Sequence, residues 1–228
     1  MKNLFLDLFN LFYPPSCMAC TTVLTPGEEK LCTTCIAHLP LALHHKNKDT
    51  QIKDLFFARV PVENATSLFY YEKIGAVQQL IHQLKYKKQE GISEYLGKWM
   101  AREINNKKEF EQIDVVLPVP IHPKRKKIRG YNQVTGFGKE IAQAIQADYR
   151  EDILIKTKNT RKQAQLNQVE RHAIKQAVFE LNDVTLQGKH LLIVDDVITT
   201  GATLSSCAHE LLKIPDIKIS IATMAVAV

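Results

Sequence analysis

The chain has 228 residues, of which 45% are hydrophobic and 24% are charged. That length supports one hydrophobic core with a small appendage, or two modest domains. Because proline and glycine are not in excess, the composition excludes a disordered or fibrous chain. The formal net charge is +6 and the pI is about 9.0, which favours anionic partners such as phosphates or nucleic acid.

The first dozen residues are markedly apolar, with seven large hydrophobic side chains at positions 4–12. This run is shorter than the ~20 residues needed to cross a bilayer, and it lacks the basic start and small-residue cleavage site of a signal peptide. We expect an amphipathic helix packed on the body of the protein, with contact to a membrane surface as the alternative. No other stretch approaches transmembrane length, so the sequence predicts a cytoplasmic protein without a transmembrane segment.

Apolar periodicity predicts two regions, 1–50 and 51–228. The first ends in a polar run at 44–50 that is typical of a linker or an exposed loop. The second contains β-rich runs at 56–60, 66–71, 115–117, 153–155, 191–194 and 217–228, and helical spacing at 74–86, 92–105, 133–145 and 202–212. Such alternation indicates an α/β domain with a parallel sheet flanked by helices. We expect residues 51–110 to contribute flanking strands and helices to that domain.

Two CxxC pairs lie in the first region, at Cys17 and Cys20 and at Cys32 and Cys35, separated by 11 residues. Each pair places two thiolates on one turn, so the four sulfurs can complete a tetrahedral site that suits zinc. With no open coordination position, such a metal would be structural. Two disulfides are the alternative, although cytoplasmic thiols stay reduced, and an iron–sulfur cluster is chemically possible.

A phosphate-binding segment is predicted at 191–204, where an apolar strand leads into Asp195 and Asp196 and then into a helix. Open α/β sheets bind ligands at the carboxyl ends of their strands. The residues before the helix offer backbone amides, hydroxyls and a positive dipole end to one phosphate, and they are Thr199, Thr200, Gly201, Ala202 and Thr203. The carboxylates can accept hydrogen bonds from ribose hydroxyls or hold hydrated Mg²⁺. A capped helix after a buried strand, the structural alternative, leaves two adjacent acids unexplained.

The segment VDDVITTGATL at 194–204 resembles the phosphoribosyl pyrophosphate (PRPP) signature of type I phosphoribosyltransferases. The resemblance implies that Asp195 and Asp196 hold the ribose hydroxyls and that residues 199–203 cradle the 5′-phosphate. It also implies a type I phosphoribosyltransferase-like sheet, with Mg²⁺ accompanying PRPP.

Further motifs narrow the resemblance to the ComF family of competence-associated proteins. PVPIHPKR at 118–125 and RGYNQ at 129–133 are similar to that family's PVPxHxxR and RGxNQ stretches, and residues 156–171 resemble its K-x-T…Q…L…R stretch. LKYKK at 84–88 is similar to its LKYxx stretch, and an N-terminal PPxCxxC zinc module is also typical. The resemblance covers essentially the whole chain. One departure is Ile174, where the family often carries asparagine.

The resemblance also implies two loops around the pyrophosphate. The pyrophosphate loop comprises Pro120, His122, Lys124 and Arg125. The flexible loop that would close over the site comprises Lys156, Arg161 and Arg171. Lysine and arginine in these loops can neutralise charge on a leaving pyrophosphate and exclude water, although either run alone also fits a solvated face.

Nucleic acid is a competing ligand for the first basic run. The candidate nucleic-acid-binding residues are Lys124, Arg125, Lys126, Lys127, Arg129 and Tyr131. The cations would bind phosphates without sequence preference. Tyr131 and Tyr86, each beside basic residues, can stack bases, with ordinary packing as the alternative.

The sequence therefore predicts a zinc module at 1–50 joined to a phosphoribosyltransferase-like domain at 51–228. The ComF resemblance implies a PRPP-binding protein that handles single-stranded DNA during natural transformation, with a competence helicase as partner. The alternative is an active phosphoribosyltransferase that transfers its pentosyl group to an unidentified acceptor. No segment of the sequence indicates a nucleobase-recognition loop.

Overall fold

A computed structural model describes residues 10–47, 50–105, 107–157, 179–182 and 185–227. These residues contain seven strands: β1 (Ala65–Tyr71), β2 (Val115–Pro118), β3 (Asp148–Tyr149), β4 (Leu154–Lys156), β5 (Phe179–Leu181), β6 (His190–Ile198) and β7 (Lys218–Ala227). Five of them form one parallel sheet in the order β1-β7-β6-β2-β3. The other two, β4 and β5, form a separate antiparallel pair. The predicted parallel α/β sheet is therefore confirmed.

Eight helices have both ends within these ranges: α1 (Thr33–His38), α2 (His44–Asn47), α3 (Gln51–Asp54), α4 (Ala76–Tyr86), α5 (Gly91–Ile104), α6 (Pro123–Arg129), α7 (Thr135–Ala144) and α8 (Ala202–Leu211). In α4 the buried residues are Val77, Leu80, Ile81 and Leu84, the spacing of a single helical face. None of the helices in the described ranges is long and apolar enough to span a bilayer.

Alternate residues of β6 supply the cores on the two sides of the sheet. Leu192 and Val194 pack with α4, α5 and α7, whereas Leu191 and Ile193 pack with α8 and the turn after α3. Every residue from His190 to Val194 is buried, because both faces of a parallel sheet are covered by helices.

The cysteine-rich region shares the first of these cores. Cys17, Leu24, Leu31 and Cys32 belong to the same buried cluster as α4 and α5. Residues 40–43 also bond to the edge strand β1, where the amide of Ala42 donates to the carbonyl of Leu68 at 3.0 Å. The N-terminal region is thus packed against the sheet by apolar contacts and by backbone hydrogen bonds.

Helices α5 and α7 approach each other unusually closely. A Cβ added to Gly97 of α5 would lie 2.8 Å from the Cα of Phe137, and one added to Gly136 of α7 would lie 2.8 Å from the backbone nitrogen of Glu94. Only glycine allows this approach. Because α7 begins two residues after Gln133, the contact also positions the start of the candidate site.

Two local predictions are wrong. Residues 55–59 form turns and not a strand, because their amides bond to carbonyls three residues earlier, as from Phe57 to Asp54 at 3.1 Å and from Arg59 to Phe56 at 2.9 Å. The run at 44–50 is not simply exposed, because residues 44–47 form α2 and the ring of His44 is buried, 5.6 Å from the ring of Tyr70. The other predicted elements between 66 and 228 appear with small shifts in their ends. The predicted N-terminal helix lies largely outside the described residues, and within them residues 10–12 are helical.

Candidate functional site

A cavity of about 250 Å³ at one edge of the parallel sheet is lined by four separate stretches of the chain, at 85–86, 119–133, 156 and 195–203. Of the predicted site residues, those that line it are Pro120, His122, Arg125, Arg129, Lys156, Asp195, Asp196 and Thr203. Strand β2 ends at Pro118, which pairs with Val194, whereas β6 continues to Ile198. The two acids therefore lie inside β6 and past the end of β2, not at the end of their own strand as expected.

Asp196 is only 5% exposed, yet its carboxylate has several partners. Lys85 at the end of α4 places Nζ 3.0 Å from Oδ1, and the side-chain amide of Gln133 donates to Oδ2 at 2.7 Å. The backbone amide of Val197 donates to Oδ1 at 2.7 Å. A buried carboxylate is tolerated because an opposite charge and hydrogen-bond donors surround it. Neither Lys85 nor Gln133 was among the predicted site residues, and the LKYxx and RGxNQ resemblances are the signals that point to them.

Asp195 has a different environment. It is partly exposed and accepts the backbone amide of Asp196 at Oδ1, 2.8 Å away. Burial, together with the adjacent negative charge of Asp196, raises the pKa of Asp195 to about 7. A raised carboxyl pKa beside a cavity is characteristic of functional sites, because such sites concentrate charge before a ligand neutralises it.

The phosphate segment turns sharply at Gly201, whose φ of +72° lies in the left-handed region. No side chain caps α8 at this glycine. The first amides of the helix, at the positive end of its dipole, can therefore donate to an anion. The turn 55–59 supports the segment, because Arg59 Nη1 donates to the carbonyl of Thr200 at 2.6 Å. A Cβ on Gly201 would lie 3.4 Å from the ring of Phe56. This support has no local sequence signal, since residues 59 and 200 are linked only by the fold.

The predicted pyrophosphate loop contains the helix α6. His122 caps it by accepting the amide of Lys124 at Nδ1, 3.2 Å away, Pro123 occupies the first turn, and Gly130 ends it at φ +93°. Proline near a helix start and glycine after its end are a recognisable signal. The cations of α6 that are exposed are Lys124, Arg125, Lys126 and Lys127.

Side chains at the end of α6 and just after it bond to Gln133 and to the segment that follows β2. Arg129 Nη1 donates to Oε1 of Gln133, the residue that holds Asp196. The side-chain amide of Asn132 donates to the carbonyl of Val119 at 3.0 Å. Tyr131 is half-buried, and its hydroxyl donates to the carbonyl of Leu84.

Of the predicted flexible loop, only Lys156 lies within the described residues. It lines the cavity, its Nζ lies 4.9 Å from the ring centroid of Phe179, and burial lowers the pKa of its ammonium group. Arg161, Arg171 and Ile174 fall in the range 158–178, outside the described residues.

The four cysteines converge as predicted, with their sulfurs all within 4.8 Å of one another. All five cysteines of the chain are free thiols, so the structure does not adopt the disulfide alternative. The Sγ atoms of Cys20 and Cys32 are 3.7 Å apart, close to the edge of about 3.8 Å that Zn–S bonds of about 2.3 Å imply for a tetrahedron. The amide of Cys32 donates to Sγ of Cys17 at 3.4 Å. The four cysteines are therefore placed to hold a metal ion.

The loop between the two cysteine pairs is held by Glu28. Its carboxylate accepts the backbone amides of Thr25 and Thr33, each at 2.7 Å. These hydrogen bonds lower the pKa of Glu28 to about 2. The convergent group of candidate ligands consists of the four cysteines, and Nδ1 of His38 lies 2.8 Å from the carbonyl of Thr34 in its own helix.

The chain was compared with protein-family models, curated proteins and solved structures. No family model matches. It is 30% identical over 138 residues to the DNA utilization protein YhgH of Escherichia coli O157:H7, covering 59% of this chain and 60% of the relative. It is 26% identical to Competence protein F of Haemophilus influenzae, over 59% of this chain and 61% of the relative.

Competence protein ComFC of Bacillus subtilis matches at 27% identity over 43% of this chain and 38% of the relative. This chain is a homologue of the ComF competence proteins. The match spans about 60% of the length of the first two relatives. The ComF resemblance read from the motifs is thus confirmed.

Solved structures that match the chain include phosphoribosyltransferases. The glutamine PRPP amidotransferase of B. subtilis covers 57% of this ComF homologue and 25% of its own chain at 22% identity, with a TM-score of 0.39. A hypoxanthine phosphoribosyltransferase of Staphylococcus aureus covers 59% and 63% at 14% identity, with a TM-score of 0.37. These identities and TM-scores carry no argument about ligand or activity.

Proposed function

We propose that this chain binds PRPP or a related sugar phosphate in the cavity beside β6, and that it handles single-stranded DNA during DNA uptake. Asp195 and Asp196 would receive the ribose hydroxyls, and residues 199–203 would surround the 5′-phosphate. The pyrophosphate would face Pro120, His122, Lys124 and Arg125.

One observation carries this proposal. The cavity is lined by the two acids of the PRPP signature, by Lys156, and by Pro120, His122 and Arg125 of the PVPxHxxR stretch, although up to 76 residues separate them in sequence. The cavity thus combines two carboxylates with several cations. A ligand with hydroxyl groups at one end and phosphates at the other is complementary to that arrangement, whereas a purely apolar or purely anionic ligand is not.

Mg²⁺ fits the donor set, because carboxylate oxygens of Asp195 and Asp196 are ligands that it accepts directly or through its water. When bound with PRPP it would neutralise diphosphate charge. Lys85 now supplies the positive charge beside Asp196, so the chain's own cation balances this carboxylate in the ligand-free site.

The DNA part of the proposal rests on α6 and on the relatives. Exposed Lys124, Arg125, Lys126 and Lys127 form a cationic surface next to the cavity, and such surfaces bind nucleic-acid phosphates. The relatives carry the names of DNA utilization and competence proteins. The helicase partner and the pyrophosphate-facing roles of Arg161 and Arg171 are implied by the ComF resemblance.

We assign structural zinc to the four cysteines. All four thiols of the cluster are used by a tetrahedral ion, which leaves no open position for catalysis. Inductively coupled plasma mass spectrometry should find one zinc and no iron per chain.

Calorimetry with PRPP and Mg²⁺ tests the sugar-phosphate site. The parent should bind, whereas Asp196→Asn should lose at least roughly tenfold in affinity because a charged hydrogen-bond acceptor is removed. Asp148→Asn, an exposed carboxylate on β3, is the matched control and should bind like the parent. Equal affinities for the parent and Asp196→Asn would refute the site.

A second assay separates a binding protein from a transferase. Labelled PRPP and Mg²⁺ are incubated with nucleobases, amines and oligonucleotides, and pyrophosphate is measured. Binding without release supports the proposal, whereas acceptor-dependent release would establish the alternative, an active phosphoribosyltransferase.

A further inference from the structure

Tyr86, the last residue of α4, presents an aromatic ring at the mouth of the candidate cavity. It lines the cavity together with Lys85 and is 68% exposed. Its ring lies 5.1 Å from that of His82 and 6.0 Å from the guanidinium carbon of Arg129. A ring held in this way by its neighbours gives a base a preformed surface on which to stack.

The ring and the acid pair belong to one network of contacts. Arg129, beside the ring, donates to Gln133. Gln133 donates to Asp196 at 2.7 Å, and Asp196 pairs with Lys85 at 3.0 Å. Lys85 is bonded to Tyr86 in the chain, which closes the network. The aromatic surface is therefore linked by direct contacts to the acid pair.

The surroundings of Tyr86 are positively charged. Lys87 and Lys88 follow it and are exposed, and Arg125 also lines the cavity. A ligand that is complementary to an aromatic ring surrounded by cations has flat rings attached to a polyanionic backbone. Tyr131 is less suited, because it is half-buried and its hydroxyl is bonded to Leu84.

We infer that Tyr86 is the stacking platform for a base of single-stranded DNA, with the backbone phosphates on the surrounding lysines and arginines. This inference rests on the proposed DNA-handling function and names the residue that recognises the base. Stacking on one ring is tolerant of sequence, because every base has a π face. The platform therefore serves DNA of any sequence.

Fluorescence anisotropy with two labelled strands of equal length, an oligothymidylate and an abasic strand, tests the inference. The parent should bind the oligothymidylate roughly tenfold more tightly, the effect of one stacked base. Tyr86→Phe should preserve this ratio because it keeps the ring, whereas Tyr86→Leu should reduce it to about one. The ratio of the parent's affinities for the two strands is measured without any variant. It therefore remains informative even if Tyr86→Leu folds poorly.

A charge variant is the matched control. The double variant Lys87→Ala with Lys88→Ala should weaken both strands by the same factor and leave their ratio unchanged, because it removes phosphate contacts and keeps the ring. If the parent binds neither strand, both the proposed DNA function and the platform are wrong. If it binds both strands equally, or if Tyr86→Leu keeps the preference, the platform is wrong and the DNA function stands.

Discussion

Asp195 and Asp196 are adjacent in sequence, but their carboxyl groups lie in different environments. Asp196 is surrounded by Lys85, Gln133 and the amide of Val197. Asp195 has a raised pKa of about 7 because it is desolvated beside that charge. The raised pKa therefore reduces the negative charge that the Asp195 carboxyl carries at neutral pH and below.

Asp195→Asn should stabilise the protein at alkaline pH. A carboxyl whose folded-state pKa exceeds its unfolded value of about 3.9 reduces stability as pH rises from about 4 to about 7. We expect the variant to match the parent near pH 4 and to gain on the order of 1–3 kcal/mol above pH 7. Urea unfolding at several pH values measures the difference.

The comparison is made between variant and parent at each pH, because the cysteine cluster titrates in both proteins and its contribution cancels. Asp148→Asn should show no such divergence, since its carboxylate is exposed. A constant difference between Asp195→Asn and the parent from pH 4 to pH 8 would contradict the raised pKa.

At the scale of elements, the turn at 55–59 supports the segment at 199–203. Arg59 bonds to the carbonyl of Thr200, and Phe56 packs on Gly201. Arg59→Ala should weaken PRPP binding roughly tenfold by calorimetry, because a charge-assisted hydrogen bond that positions the segment is lost.

Lys53→Ala is the matched control for that experiment. Lys53 donates to the carbonyl of Glu63 at 3.0 Å and lines the same surface cavity as Arg59, but its hydrogen bond is to the backbone of another loop. Its replacement removes the same charge and should leave PRPP affinity unchanged. Equal losses in both variants would show that Arg59 acts only through net charge.

The close packing of α5 against α7 leads to a second prediction at the scale of elements. Gly97→Ala should destabilise the protein by about 1–3 kcal/mol, because the added Cβ meets the backbone of Phe137 at 2.8 Å. Gly91→Ala, in the same helix, meets only the flexible end of Lys30 at 3.1 Å and should cost much less. Chemical unfolding measures both, and similar values for the two variants would contradict the packing argument.

At the scale of the whole molecule, the cysteine cluster is coupled to the sheet domain. Cys17 and Cys32 lie in the same buried cluster as α4 and α5, against which Trp99 packs. Because a structural metal contributes folding free energy, its removal by a chelator should lower the melting temperature of the entire chain in one transition. The fluorescence of Trp99, the single tryptophan, should change with it.

Calorimetry and fluorescence in the presence and absence of chelator check this prediction. Cys20→Ser should reproduce the effect of the chelator, whereas Cys207→Ala, a buried cysteine of α8 outside the cluster, should keep a full equivalent of metal. Two separate melting transitions, of which only one responds to chelator, would show that the N-terminal region folds independently.

Local sequence patterns were sufficient to predict those elements whose pattern lies within one continuous stretch of the chain. The strand at 191–194, the helices α4, α5 and α8, and the two CxxC turns follow from periodicity and spacing within a few residues. The strand predicted at 56–60 failed because its apolar run also fits a series of turns, in which amides bond to carbonyls three residues earlier.

The sequence by itself determined a parallel sheet, four convergent cysteines, an acid pair followed by a turn into a helix, and a ComF relationship. Those features depend on residue type and local spacing. Only the tertiary structure decided that Lys85 and Gln133 compensate Asp196, that Arg59 supports Thr200, and that Tyr86 and not Tyr131 presents an open ring. These depend on contacts between residues far apart in the chain, and their geometry exists only once the sheet and helices have packed.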